Sequence, residues 1–235
     1  MKKSNNLLFA LKYRPKSFKE LFGQEVMVET ISNSISSGKI PNAYLLTGIR
    51  GVGKTTTARI IAKALNCSKG FKEGEICKDG ENCHHCKEIS QSNHIDVLEM
   101  DAASKTGIDD IRELIDSSKY KPNSAKFKIF IIDEVHMLSK QAFNGLLKTL
   151  EEPPPRLKFI LATTEKNKII PTILSRCQIY DFKSISRSDI ALHLKNISLK
   201  NNIKFEDEAL NIISETAEGA MRDALSLYDR LVNLT

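Results

Sequence analysis

Short apolar runs alternate along most of the chain with stretches whose apolar residues recur every three or four positions. The runs AYLL (43 to 46), DVLEM (96 to 100), IFII (129 to 132), FILATT (159 to 164) and IYDF (179 to 182) predict strands. Between them TTTARIIAKAL, IDDIRELI and AFNGLLKTLEE carry the helical period. Strands that alternate with helices predict an α/β fold, a mostly parallel sheet with helices on both faces. Pro153, Pro154 and Pro155 stop the helix that carries Leu146, Leu147 and Leu150, because a proline ring fixes φ and removes the N–H. Past IYDF the strand patterns cease. Three helical patterns follow, through Ile190, Leu194 and Ile197, then Leu210, Ile213 and Ala217, then Met221, Leu225 and Tyr228. A domain boundary is expected near Lys183, giving units of 1–182 and 183–235, and Ser186 with Asp189 is the expected capping box of the first helix beyond it.

One loop in this pattern carries chemistry. Gly48 to Thr55 reads GIRGVGKT, which fits the phosphate-binding loop G-x-x-x-x-G-K-S/T, and it has the strand before it and the helix after it that the motif requires. Gly48, Gly51 and Gly53 let the backbone curl so that successive N–H groups, those of Ile49, Arg50 and Val52 among them, point at the β-phosphate of ATP. Lys54 reaches the β- and γ-phosphates, and the Thr55 hydroxyl ligates magnesium. The strand IFII delivers Asp133 at its carboxyl end, where open α/β sheets bind ligands, so this carboxylate can hold magnesium through water. Glu134, the next residue, can polarise the attacking water. Taken alone, the glycines also suit an ordinary tight turn and Asp133-Glu134 a solvated strand end; their combination favours an ATP site.

Length and charge add limits. At 235 residues and 41% apolar content the chain can bury a large core, or one medium and one small. Its net charge of +6 is compatible with a polyanionic partner without requiring one. No run approaches the roughly 18 apolar residues of a membrane span. The start, Met1-Lys2-Lys3 followed by LLFAL, charge and Pro15, is too little for a signal peptide, so a cytoplasmic location with no membrane partner is expected.

Five cysteines in such a chain argue against disulfides. Cys67, Cys77, Cys83 and Cys86 follow the spacing C-x9-C-x5-C-x2-C. The closing C-x-x-C is a chelating unit, and the upstream pair completes a tetrahedral zinc site if Gly70, Gly74 and Gly80 let the loops fold back. The insertion, at about 67–90, has few apolar residues with which to form a core of its own, so zinc would pin it. His84 or His85 in place of one sulfur, and metal-free thiols, are the alternatives. Cys177 stands apart and reads as a buried thiol.

Further motifs stand in order with these: YRP (Tyr13 to Pro15), GQE (Gly23 to Glu25), DAAS (Asp101 to Ser104), IIDEVHML (Ile131 to Leu138), LLKTLEEPP (Leu146 to Pro154), ATT (Ala162 to Thr164), ILSRC (Ile173 to Cys177) and MRDALSL (Met221 to Leu227). Together with GIRGVGKT and the four cysteines they resemble the gamma/tau family of bacterial DNA polymerase III, the ATPase motors of the sliding-clamp loader, over essentially the whole chain.

The resemblance implies an AAA+ P-loop fold, a nucleotide-binding α/β domain followed by a three-helix lid. It also implies roles that the local pattern leaves open. Read by itself, Arg176 is a cation near a helix end, Thr164 a strand-end threonine and Arg222 a surface residue. Within the family, Arg176 is expected to act in trans as an arginine finger in a neighbouring subunit's ATP site. Thr164 is expected to be the first sensor and Arg222 the second, with Tyr13, Arg14 and Pro15 on the adenine side. The implied activity is ATP hydrolysis that opens and loads the clamp, as part of the DNA polymerase III holoenzyme, a DNA-directed DNA polymerase. Implied partners are delta- and delta-prime-type subunits, copies of this chain, the sliding clamp, and primer-template DNA gripped through its phosphates. Ser104, Lys105 and Thr106, beside a helix start at Gly107, are the candidate DNA contacts. The family pattern continues into a helical collar, and with the lid ending at Thr235 the chain is expected to be the motor without that collar. Two other classes remain: an ATP-binding interaction module with negligible turnover, against which Asp133-Glu134 speaks, and a DNA-remodelling ATPase such as a branch-migration motor, against which SRC and the cysteines speak.

Overall fold

The computed structural model describes residues 8–72, 74–77, 83–104 and 107–234. Sequence readings that fall on Met1 to Lys3, Gly80, Lys105, Thr106 and Thr235 lie outside the described residues. In chain order the elements are α1 (Phe9–Lys12), α2 (Glu25–Ser36), β1 (Ala43–Thr47), α3 (Lys54–Asn66), β2 (Phe71–Lys72), β3 (Glu75–Ile76), α4 (His84–Ser90), β4 (Val97–Asp101) and α5 (Ile108–Ser118). There follow β5 (Lys128–Asp133), α6 (Lys140–Glu151), β6 (Leu157–Thr163), α7 (Pro171–Leu174), β7 (Gln178–Asp181), α8 (Arg187–Lys200), α9 (Asp207–Thr216) and α10 (Met221–Val232).

Five strands form one sheet in the order β4-β5-β6-β1-β7, and every pairing in it is parallel. β1 and β6 are buried at every position, as strands covered on both faces must be. Alternate side chains serve opposite layers. Tyr44, Leu46, Ile131 and Ile160 pack with Ile31 of α2 and Ile60 and Ile61 of α3. Leu45, Phe130, Ile132 and Phe159 pack with Ile111 of α5 and Leu146 of α6. Each fully buried Leu or Ile contributes roughly 1.5–3 kcal/mol, so these two layers carry the stability of the sheet. The expected α/β architecture holds, with strands a residue or two longer than the apolar runs because Thr47 and Asp133 continue the ladder past the last apolar residue. Helix α6 opens where Ser139 Oγ accepts the Ala142 N–H at 3.2 Å and stops just short of the prolines.

The register places the carboxyl ends of the strands side by side. Thr47 pairs with Thr163 on one side and Asp181 on the other, and Asp101 pairs with Asp133. The phosphate loop leaves from this edge.

Beyond β7 the strands end and α8, α9 and α10 form their own cluster around Ile190, Leu194, Leu210, Ile213, Leu225 and Tyr228. At the start of α8, Ser186 Oγ accepts the Asp189 N–H at 3.1 Å, while Asp189 accepts the Ser186 hydroxyl at 2.6 Å. This is half of the expected capping box, since the carboxylate is used on the hydroxyl and leaves the Ser186 N–H alone. The N-terminal segment also packs here: the Phe9 ring stacks on Tyr228 with centroids 5.6 Å apart, and the Phe9 N–H donates to Asp229 Oδ1 at 3.2 Å. A few residues later Phe18 is buried in the core of the sheet. At the far crossing, Gln24 grips Lys183 with its side-chain amide, donating to the carbonyl at 2.8 Å and accepting the N–H at 3.2 Å. The helical lid is therefore tied to the sheet at 14–17 and again at 182–186. Cys177 is half-buried rather than buried, yet desolvation still pushes its thiol up to about 12. Among the described residues no helix is long and apolar enough to cross a membrane.

Candidate nucleotide site and cysteine cluster

A cleft of about 990 Å³ opens at the carboxyl edge of the sheet, between the phosphate loop and the lid. Its floor is the loop from β1 to α3. Gly48 has φ +141, and a Cβ there would sit 2.8 Å from Phe182 Cβ and 2.9 Å from the Phe182 carbonyl oxygen. Gly51 has φ +84, and its Cβ would meet Ala220 Cβ at 2.9 Å, because the turn into α10 rests on the loop. The Arg222 N–H completes that contact by donating to the Gly51 carbonyl at 3.3 Å. Gly51→Ala therefore forces a left-handed alanine and displaces the lid. It should destabilise the chain by about 1–2 kcal/mol and alter nucleotide affinity as well, read by thermal unfolding with and without ATP. An unchanged melting curve and affinity would mean that loop and lid do not touch in this way.

The polar side chains converge above this floor. Lys54 is buried, and its ammonium donates to the carbonyls of Gly48 at 2.8 Å and Ile49 at 2.9 Å. Burial pulls its pKa below the ordinary lysine value, and the Coulombic fields of Glu134 and Asp133 act in the opposite direction. Thr55 Oγ1 donates to Asp133 Oδ2 at 2.5 Å. Glu134 follows with φ +47, a strained left-handed conformation for a non-glycine residue. Its Oε2 accepts the Thr164 N–H at 3.1 Å and the Thr164 hydroxyl at 3.0 Å. Arg14 enters from the N-terminal segment and donates to Thr56 Oγ1 at 3.0 Å, its pKa lowered by burial first and by Arg59 next. Tyr13 and Pro15 line the same cleft, and the Tyr13 hydroxyl accepts from Asn201 Nδ2 of α8.

Thus the expected residues Ile49 to Thr55, Asp133, Glu134, Thr164, Arg222 and Tyr13 to Pro15 all line one cavity, with Gly48 at its base. Arg176 is not among the lining residues. It is exposed beyond α7, where it donates to the Thr172 carbonyl at 2.6 Å and to Glu151 Oε1 at 2.7 Å. Ser104 is also outside the cleft lining, and its hydroxyl donates to the Asp101 carbonyl at 3.0 Å. Sequence reasoning missed Phe22, Ile185 and His193, which shape the apolar end of the cavity, and His136 beside Glu134. The Phe22 and His193 rings lie 4.6 Å apart although one precedes the sheet and the other belongs to α8. Only tertiary packing brings them together.

The second cluster lies at the other end of α3. The Sγ atoms of Cys67, Cys77, Cys83 and Cys86 are all within 4.8 Å of one another. The β2–β3 hairpin returns Cys77 to 3.3 Å from Cys67, and the Cys83 N–H donates to the Cys77 sulfur at 3.3 Å. Four sulfurs this close match a tetrahedral thiolate site with bonds of about 2.3 Å, so the donor set is compatible with zinc. Desolvation pushes the Cys83 thiol up, but hydrogen bonds from Ser68 and from Cys86 outweigh it and hold the group down at about 5. Cys86 is pushed up by burial. His85 Nδ1 instead shares a hydrogen bond with His94 Nε2 at 2.8 Å, and His84 Nε2 sits 3.2 Å from Glu88, so neither histidine joins the sulfurs.

Known proteins place the chain in a family. Residues 23–186 match the family model described as DNA polymerase III, delta subunit, and residues 189–234 match that of the DNA polymerase III clamp loader subunit, ATPase lid domain. The chain is 49% identical to the DNA polymerase III subunit gamma of Buchnera aphidicola subsp. Schizaphis graminum, over 98% of this chain and 62% of that protein. It is 44% identical to the subunit tau of Escherichia coli, over 96% of this chain and 34% of that protein. It thus spans about three fifths of the first of these relatives and about a third of the second. The Thermotoga maritima RuvB Holliday junction branch migration motor superposes with a TM-score of 0.67 at 22% identity, over 94% of this chain and 65% of that one, a likeness of fold alone. The three-helix cluster of α8, α9 and α10 agrees with the lid match, and the chain belongs to the gamma/tau family of DNA polymerase III clamp-loader subunits, on the AAA+ P-loop ATPase fold.

Proposed function

We propose that the chain is the ATP-hydrolysing motor of a sliding-clamp loader, acting in the cytoplasm beside delta- and delta-prime-type subunits and further copies of itself. The observation that carries this reading is the convergence of Lys54, Thr55, Asp133, Glu134 and Thr164 in one cleft while Arg176 stays outside it.

In this reading the loop amides and the N-terminus of α3 hold the phosphates of ATP, and Lys54 leaves the carbonyls of Gly48 and Ile49 to meet the β- and γ-phosphates. Thr55 and Asp133 would hold magnesium, which when bound neutralises charge on the phosphate oxygens. Glu134 accepts a proton from the attacking water, and Thr164 fixes the carboxylate that does so. Tyr13, Arg14 and Pro15 flank the adenine side. Arg222 links lid angle to the loop through Gly51. Arg176, exposed and held by Glu151 and the Thr172 carbonyl, exchanges that carboxylate for the γ-phosphate of an adjacent subunit. ATP at such interfaces stabilises a spiral of subunits that opens the ring-shaped clamp and admits primer-template DNA, and hydrolysis releases both. DNA is held through its phosphates, with Ser104, Lys105 and Thr106 as contacts, so its binding weakens steeply with salt. The four cysteines hold a structural zinc.

The test is ATPase stimulation by clamp and primed DNA in the loader assembled with Arg176→Ala. Stimulated turnover should fall by about 10³-fold or more, with nucleotide binding by the variant chain unchanged. Undiminished stimulation would refute the role of Arg176.

A further inference from the structure

His136 sits on the short turn Val135–Met137, and its side chain is 6% exposed. Both ring nitrogens face polar partners. Nδ1 shares a hydrogen bond with Thr163 Oγ1 at 2.9 Å and lies 3.4 Å from Glu134 Oε2, while Nε2 lies 3.3 Å from Glu165 Oε1. Thr163 Oγ1 in turn accepts the Glu165 N–H at 3.0 Å. The imidazole therefore bridges the Asp133-Glu134 turn at the end of β5 to Thr163 and Glu165 at the end of β6, the residues on either side of the Thr164 that bonds Glu134.

This bridge bears on one oxygen of Glu134. Oε2 is occupied by the two hydrogen bonds from Thr164 and flanked by His136, whereas Oε1 has no hydrogen-bond partner among the described residues. Glu134 lines the cleft and its left-handed backbone gives the side chain an unusual exit direction, which needs support to persist. A carboxylate held at one oxygen presents the other to a water in a fixed place, and a sub-ångström loosening of such a base is enough to slow proton transfer.

We propose that His136 is a positioning residue for Glu134: the imidazole braces the carboxylate together with Thr164, so that Oε1 is the atom offered to the attacking water. The inference rests on the reading of Glu134 as the water-polarising group. It makes His136 matter for the chemical step and not for holding ATP.

The experiment compares His136→Leu, His136→Gln and Glu134→Gln in the full chain. It uses steady-state phosphate release, and a fluorescent ATP analogue for nucleotide affinity. His136→Leu keeps bulk and removes both polar edges, so kcat should fall about tenfold while KM and the dissociation constant stay within about twofold. His136→Gln, which can restore the bond to Thr163 beside Glu134, should recover a large part of that loss even if the leucine variant folds poorly. Wild-type kcat in both His136 variants, or a loss confined to nucleotide affinity, overturns the brace. Wild-type turnover in Glu134→Gln overturns the underlying reading of Glu134 instead. Loss of turnover in Glu134→Gln beside unchanged His136 variants leaves that reading standing and removes only the role of His136.

Discussion

Glu134→Gln is expected to bind ATP as the parent chain does and to turn it over about 10²–10⁴-fold more slowly, whereas Lys54→Ala loses binding and turnover together. The two outcomes separate because the two side chains do different work in the same cleft. A glutamine is isosteric, and its amide oxygen can still accept the Thr164 N–H and hydroxyl that hold Oε2 at 3.1 and 3.0 Å. It loses only the capacity to take a proton. Lys54 is a buried ammonium within 2.9 Å of two loop carbonyls, and its removal takes the cation from the floor of the site where the phosphates would lie. Phosphate release and nucleotide titration on the same preparations read both effects. Turnover at the parent rate in Glu134→Gln would assign the water to another group, and tight ATP binding by Lys54→Ala would remove the phosphate loop from the account.

Removing the metal should have the other large effect. Purified chain is expected to carry one zinc per molecule, and a strong chelator or Cys86→Ser should unfold the insertion between Cys67 and Ile89 while the sheet persists. Apparent binding free energies of structural zinc sites in small peptides run about 10–16 kcal/mol, as large as the whole stability of an ordinary domain. Among the insertion's described residues the buried side chains are Cys77, Cys86 and Ile89; Ile89 belongs to the core of the sheet, and the half-buried Phe71 and Ile76 pack against that core. Helix α3 is the path to the nucleotide. It begins at Lys54 and ends at Asn66, immediately before Cys67, about 20 Å away for a helix of 13 residues. Loss of zinc should therefore raise amide exchange first in α4 and the last turn of α3, with ATP binding affected less. Chain that contains no zinc after metal-replete expression, yet protects these amides, would show that the sulfurs hold together without a metal.

The phosphate loop and the Asp133-Glu134 strand end were legible because both are local: a handful of adjacent residues sets the backbone path and points the groups. The sheet was legible because AYLL, IFII and FILATT have strand length and alternate with longer stretches of helical period. The end of α6 followed from three prolines alone. Helix α2 was not read, although Met27, Val28, Ile31 and Ile35 recur at helical spacing and pack on the sheet with polar residues on the opposite face. The strand order could not be read from local pattern, which says nothing of which strand β1 lies beside. His136, Phe22 and His193 stayed hidden because their roles depend on elements distant in the chain. His136 did stand in the open, two residues past Glu134, but its spacing gives no sign of the Thr163 and Glu165 side chains that meet it.

The attachment of the helical lid at 14–17 and 182–186 has a mechanical consequence. A rigid body held along one line keeps a single degree of freedom, rotation about that line, and Arg14 on Thr56 with Gln24 on Lys183 marks the two pivots. The first turn of α10 rests on Gly51 and donates the Arg222 N–H to its carbonyl, so any rotation of the lid about those pivots would press on or pull away from the phosphate loop. A shift of the loop backbone at Gly51 and a tilt of α8, α9 and α10 would then be felt by one another directly through the main chain.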